Sequence, residues 1–153
     1  LSIVKSVIKS NERRKFLLLK RIDKIFGKNV KNKKIVFLGV TFKPNTDDMR
    51  DAASLFMIPN LIKRRAIVSY YDPTGEKKEF NKFKNCIFYS NIDKACKNAD
   101  LIILHTEWDE FKSLNFSKLA KKKFVLYDLR NLYDLEEMRK LKINYFSIGR
   151  PAF

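Results

Sequence analysis

The stretch Lys34 to Arg50, KIVFLGVTFKPNTDDMR, restricts the fold more than any other part of this chain. Ile35, Val36, Phe37 and Leu38 form an unbroken apolar run, which predicts a strand buried on both faces. Gly39 ends the run and permits a tight turn. Lys43 then falls just past the strand end, where open α/β sheets place their ligand contacts. Pro44 stiffens the loop, and Asn45, Thr46 and Asp47 are turn and cap formers. One buried strand therefore aims a loop carrying Lys43 and Arg50 at whatever binds here. The fingerprint G-x-G-x-x-G is absent, since Gly39 is the one glycine in the stretch, and a dinucleotide cradle is not expected at this strand.

The rest of the chain repeats the theme. Apolar runs predict strands at 67–71, 86–89, 101–104, 124–127 and 145–148. Helical spacing predicts helices over 51–64, 92–96, 116–119 and 135–141, with Asn91 as a cap and Pro59 predicting a kink or early break. This alternation argues an α/β fold, a three-layer sandwich built on a mostly parallel sheet. The loops after residues 38, 104 and 127 then share one edge of the sheet, so Lys43, Glu107, Trp108, Asp128 and Arg130 can surround one cleft. Two cations there suit a phosphate or diphosphate. Asp128 could fix one cation; equally, Asp128 and Arg130 could form a local ion pair in a turn, with Trp108 packing a core edge. Asp72, at the end of the 67–71 strand, sits where a ribose-binding acid lies in dinucleotide folds, or serves as a turn residue.

Ahead of this domain, residues 2–26 carry apolar residues at Val4, Val7, Ile8, Leu18, Ile22 and Ile25. The spacing predicts one long helix of about 37 Å, ended by Gly27. The chain thus divides into a connecting helix within residues 1–30 and an α/β domain over 31–153. Residues 1–34 hold twelve Lys and Arg against two acidic residues, a net of +10 out of +16 for the chain. The basic residues around Asn11–Lys15 lack interleaved aromatic residues, so they read as a solvated face and nucleic acid is not the expected partner. No apolar run reaches the roughly 18 residues of a membrane span. No secretion signal is visible, and a cytoplasmic location is expected. Cys86 and Cys96 read as structural thiols and His105 stands alone, so no metal site is expected. The chain begins at Leu1 rather than Met and is expected to be a piece of a longer protein.

Three blocks, FLGVTFKPNTDDMRD, ILHTEWDEF and VLYDLRNLYD, together resemble the signatures of the C-terminal, UDP-binding domain of the UDP-glucose/GDP-mannose dehydrogenase family. EWDEF is similar to the UDP-glucose 6-dehydrogenase branch. The resemblance covers nearly the whole chain and implies a Rossmann-like sheet. It implies NAD-dependent oxidation of a UDP-hexose at C6, twice, to the uronic acid. NAD is then held mainly by an N-terminal domain absent from this sequence, and the long helix contributes to a homodimer. Phe42 and Lys43 match the pair that contacts the substrate, Arg130 matches the arginine of the D-G-R-N motif that binds the UDP-sugar, and Arg50 matches the arginine that reaches toward NAD. Asp128 and Asn131 complete the motif.

The sequence departs from the family pattern at Leu129, which stands where the motif has glycine, and at Asp51-Ala52, which follow Arg50 in place of Glu-Ser. A leucine would strain a left-handed backbone or crowd a close ligand. The catalytic cysteine loop is not within this stretch, so none of these residues is expected to be catalytic and the chain alone is expected to be inactive. The competing reading is a non-catalytic dimerisation module whose nucleotide site has degenerated.

Overall fold

A computed structural model describes residues 2–119 and 123–153. It divides into two compact units, one ending at Val30 and the other spanning Lys31–Phe153.

The first unit is a single helix, α1, Ser2–Phe26. It ends in a left-handed turn at Gly27, φ +62°. The Lys28 N–H reaches back to the Asp23 carbonyl at 2.8 Å, a closure that satisfies one of the last free carbonyls. Ile3, Val4, Val7, Ile8, Phe16 and Leu17 are all at least half exposed along it.

The second unit is built on six strands: β1 (Lys34–Leu38), β2 (Ile67–Tyr71), β3 (Cys86–Phe88), β4 (Leu101–Leu104), β5 (Val125–Asp128) and β6 (Asn144–Ser147). Their order in the sheet is β3-β2-β1-β4-β5-β6, and every pairing is parallel. This is the doubly wound arrangement, whose order reverses between β1 and β4. The apolar runs explain the two central strands. Ile35 to Leu38 and Leu101 to Leu104 are all fully buried, as strands covered on both faces must be.

The helices between the strands are short: α2 (Ser54–Lys63), α3 (Ile92–Cys96), α4 (Phe116–Leu119) and α5 (Leu135–Lys140). Asn91 caps α3 by accepting the Lys94 N–H, and Asp134 caps α5 by accepting the Glu136 and Glu137 N–H groups. Two expectations for α2 need correction. The helix starts at Ser54 rather than at Asp51, because Asp51 adopts a left-handed backbone, φ +61°. Pro59 does not end it either, and the helix runs on to Lys63. The proline removes one donor, at a cost of about 3 kcal/mol in a helix interior. Burial of Met57, Ile58 and Leu61 around it offsets that cost at about 1.5–3 kcal/mol per large side chain.

Beyond β6 the chain turns back. Tyr145 and Phe153 exchange both backbone hydrogen bonds, at 2.6 and 3.1 Å, the signature of an antiparallel pair. The Phe153 ring lies against Tyr145 and under the Arg139 guanidinium.

Candidate functional site

In a sheet of this order, ligands bind outside the carboxyl ends of the strands, at the point where the order reverses. Here that crevice lies between the loops leaving β1 and β4, with the loop after β5 beside it. Gly39 makes the first turn possible. It has φ +74°, and a Cβ on it would lie 2.6 Å from the Cβ of Thr106. The β1 and β4 exits therefore touch through a glycine that no larger residue can replace without displacement.

The contact is reinforced by a buried polar cluster. Thr106 donates its hydroxyl to the Thr41 carbonyl at 2.8 Å. Ser54 donates its hydroxyl to the Val40 carbonyl at 2.6 Å, and its backbone N–H to Nε2 of His105 at 2.9 Å. The imidazole Nδ1 faces the Thr106 hydroxyl at 2.8 Å. Burial, helped by the nearby Arg130 charge, pushes the His105 pKa down to about 3, so the ring is neutral.

Arg130 lies across these loops. Its Nε donates to the His105 carbonyl at 2.8 Å and its Nη2 to the Phe42 carbonyl at 3.1 Å. Its Nε is also 3.0 Å from Oε2 of Glu107. That contact is electrostatic, since the Nε–H is directed at the His105 carbonyl and Glu107 Oε2 accepts no hydrogen bond. Phe42 and Arg130 are thus brought together directly. Lys43 follows Phe42 and is exposed. Arg50 bonds to none of these groups but to Asp48, whose carbonyl accepts the Phe42 N–H at 3.0 Å. It is exposed, and its Nε and Nη2 donate in a fork to the two carboxylate oxygens of Asp48, at 3.0 and 2.9 Å. Hydrogen bonding from Arg50 lowers Asp48 to about 2.

Asp128 does not pair with a guanidinium, so both ionic roles open to it in the sequence are replaced by a backbone one. It is fully buried and accepts the Arg130 N–H at 3.0 Å, the Tyr133 N–H at 3.1 Å and the Tyr145 hydroxyl at 2.7 Å. It shapes the turn from which Arg130 projects. Asn131 is left-handed, φ +52°, and exchanges two hydrogen bonds with the Ile148 backbone. Leu129 has no left-handed backbone and is buried. The leucine therefore imposes no strain of the kind a glycine would relieve. Asp72 is a turn residue in this structure: its carboxylate accepts the Val40 and Thr74 N–H groups at 2.8 and 2.9 Å. Trp108 packs against a core cluster that includes Leu104, Phe111 and Leu126.

Cys96 is buried and Cys86 half-buried, and burial raises both thiols to about 12. Both are protonated at neutral pH and make poor nucleophiles. Among the described residues, no three His, Cys, Asp or Glu gather as a metal site, and no helix is long and apolar enough to cross a membrane.

The model of the UDP-glucose/GDP-mannose dehydrogenase family, UDP binding domain, matches residues 36–135. The chain belongs to that family. UDP-glucose 6-dehydrogenase from Rickettsia prowazekii is 35% identical over 151 residues, covering 96% of this chain and 35% of the relative. The enzyme of the same name from Rhizobium meliloti is also 35% identical, covering 97% of this chain and 35% of its own length. Among solved structures, a UDP-glucose dehydrogenase from Pyrobaculum islandicum superposes with a TM-score of 0.77 at 22% identity, over 98% of this chain and 33% of that one. That likeness speaks to the fold. The chain spans about a third of the length of the curated relatives it matches.

The residues that sequence reasoning passed over are those whose partners lie far along the chain. His105 and Ser54 acquire their roles from each other, 51 residues apart. The signal available for His105 was its place directly after a wholly buried strand, where a polar side chain must find a partner.

Proposed function

We propose that this chain is the UDP-sugar-binding domain of an NAD-dependent UDP-glucose 6-dehydrogenase, which converts UDP-glucose to UDP-glucuronate in two oxidations. The observation that carries the reading is the position of Arg130. Its guanidinium is bonded to carbonyls after both β1 and β4, at the crevice where this sheet type binds ligands. Arg130 and Lys43 together supply positive charge for a diphosphate. Phe42, exposed beside them, offers an apolar face.

Arg50 is the group proposed to approach NAD. The glycine fingerprint of a dinucleotide cradle is absent from the sequence, and the Asp72 carboxylate is already engaged by two backbone N–H groups. NAD, which accepts hydride from the sugar carbon when bound, is therefore assigned mainly to an N-terminal domain outside this sequence. So is the catalytic thiol, because burial, partial for Cys86 and full for Cys96, raises both thiols. The exposed apolar residues of α1 support a role for that helix in a homodimer. The reading places the reaction in the cytoplasm, where nucleotide sugars are substrates.

Calorimetric titration of the chain with UDP and with UDP-glucose tests this. Similar affinity for both is expected, because the nucleotide half of the ligand meets this domain. Lys43→Ala should weaken both equally. Heat from neither ligand would remove the nucleotide site from this domain. The chain mixed with NAD and UDP-glucose should form no NADH.

A further inference from the structure

We infer that His105 is a positioning residue for Arg130, a neutral strut that holds the β1 loop, the start of α2 and the guanidinium in one arrangement. This rests on the reading of Arg130 as a ligand-binding group, and it adds a residue outside the FKPNTDD and D-L-R-N blocks to the site.

The hydrogen bonds fix the ring's state without ambiguity. The Ser54 backbone N–H can only donate, so Nε2, 2.9 Å away, must be the unprotonated nitrogen. The proton of the neutral ring therefore resides on Nδ1 and is donated to the Thr106 hydroxyl at 2.8 Å. That hydroxyl passes its own hydrogen to the Thr41 carbonyl at 2.8 Å. The sequence of donors runs one way, from ring to hydroxyl to loop carbonyl, and no donor is duplicated along it. A proton added at Nε2 would face the Ser54 N–H and break the order.

Three consequences converge on Arg130. First, the ring replaces the missing side-chain cap of α2, since Ala53 cannot supply one, and so anchors Ser54. Second, Ser54 and Thr106 grip consecutive carbonyls of the β1 loop, Val40 and Thr41. The next carbonyl, that of Phe42, is the one that accepts Nη2 of Arg130. Third, the carbonyl of His105 itself accepts Nε of Arg130. Ring and carbonyl of one residue thus govern both protein contacts that orient the guanidinium. The burial that keeps the imidazole uncharged also spares Arg130 a neighbouring positive charge.

Because His105 is the only histidine in the chain, its state can be read directly. Nitrogen-15 NMR of the histidine-labelled chain is expected to show the Nδ1–H tautomer. That signal should persist at about pH 5, where an unperturbed imidazole is mostly charged. The Arg130 Nε–H should be protected from exchange with water. In His105→Leu that protection should be lost and UDP affinity should fall about tenfold, the scale of one hydrogen bond to a charged group. His105→Gln, whose amide oxygen can accept the Ser54 N–H, should restore most of both. An Nε2–H tautomer, a charged ring at about pH 5, or full Arg130 protection in His105→Leu would each overturn the inference. The wild-type spectrum decides even if the leucine variant does not fold. Absence of UDP binding by a wild-type chain with a protected Arg130 Nε–H would instead overturn the function proposed above and leave the strut standing.

Discussion

Arg50 and Arg130 are both arginines on loops at the carboxyl edge of one sheet, and they are held in opposite ways. The Arg50 side chain is 89% exposed and folds onto Asp48, two residues earlier in the chain. The Arg130 side chain is 32% exposed and is bonded to backbone carbonyls 25 and 88 residues away. The first is placed by local chemistry and would keep its partner in a peptide. The second is placed by the completed fold. Lost side-chain entropy is a recurrent cost of binding, and for Arg130 that cost is met largely at folding. Arg50 keeps most of its surface in solvent, tied to one neighbouring carboxylate.

The largest effect should come from Arg130→Ala. It removes charge-assisted bonds to two loops, and UDP affinity measured by calorimetry should fall by tens of fold, about 2–3 kcal/mol. A loss of less than about threefold would make Arg130 a purely structural tie and erase the contrast with Arg50.

Acid should act next, through the group behind Arg130. His105 has a folded pKa of about 3, below the unfolded value of about 6.5. The unfolded chain therefore binds the proton first as pH falls. Stability is complete above about 6.5 and declines as pH drops toward 3, by about 2 kcal/mol at pH 5. Denaturant unfolding of the wild type and of His105→Gln across this range isolates the effect; equal slopes would contradict a neutral buried ring.

Asp128→Asn should be smaller, about 1.5 kcal/mol by the same method. The amide offers one acceptor oxygen where the carboxylate serves three donors from both oxygens. An unchanged unfolding midpoint would show that the Arg130 turn is held elsewhere.

The smallest effect belongs to Arg50→Ala. The unfolding midpoint should be essentially unchanged, as for exposed pairs generally, and UDP affinity should stay within about twofold. A larger loss of affinity would move Arg50 into the nucleotide site and dissolve the distinction.

The same contrast between local and distant causes decides what the sequence could reveal. The strands at 67–71 and 101–104 are found where their apolar runs placed them, because a strand buried on both faces needs no information beyond its own composition. The loops at 38, 104 and 127 follow from the alternation of strands and helices, so Lys43 and Arg130 could be assigned to one crevice in advance. Sequence reasoning failed where a residue's conformation depends on a distant neighbour. Asp51 looked like the first residue of a helix, yet α2 waits for Ser54, whose N–H is taken by an imidazole 51 residues later. Pro59 looked like a break and is carried by core packing. Asp128 looked like an ionic partner, and it binds backbone instead, because Tyr133 and Tyr145 close over it.

The return of Phe153 onto Tyr145 has a consequence for how copies of this domain meet. A parallel sheet exposes unpaired N–H and C=O groups along both outer strands, and each is a template for another chain. On the β6 side the Tyr145 groups are already occupied, and an aromatic ring under a guanidinium covers the step. On the β3 side the Cys86 N–H is likewise turned in, to the Phe83 carbonyl at 3.1 Å, and the strand is three residues long. The growth of a continuous ribbon by strand addition is therefore expected to stop at β6.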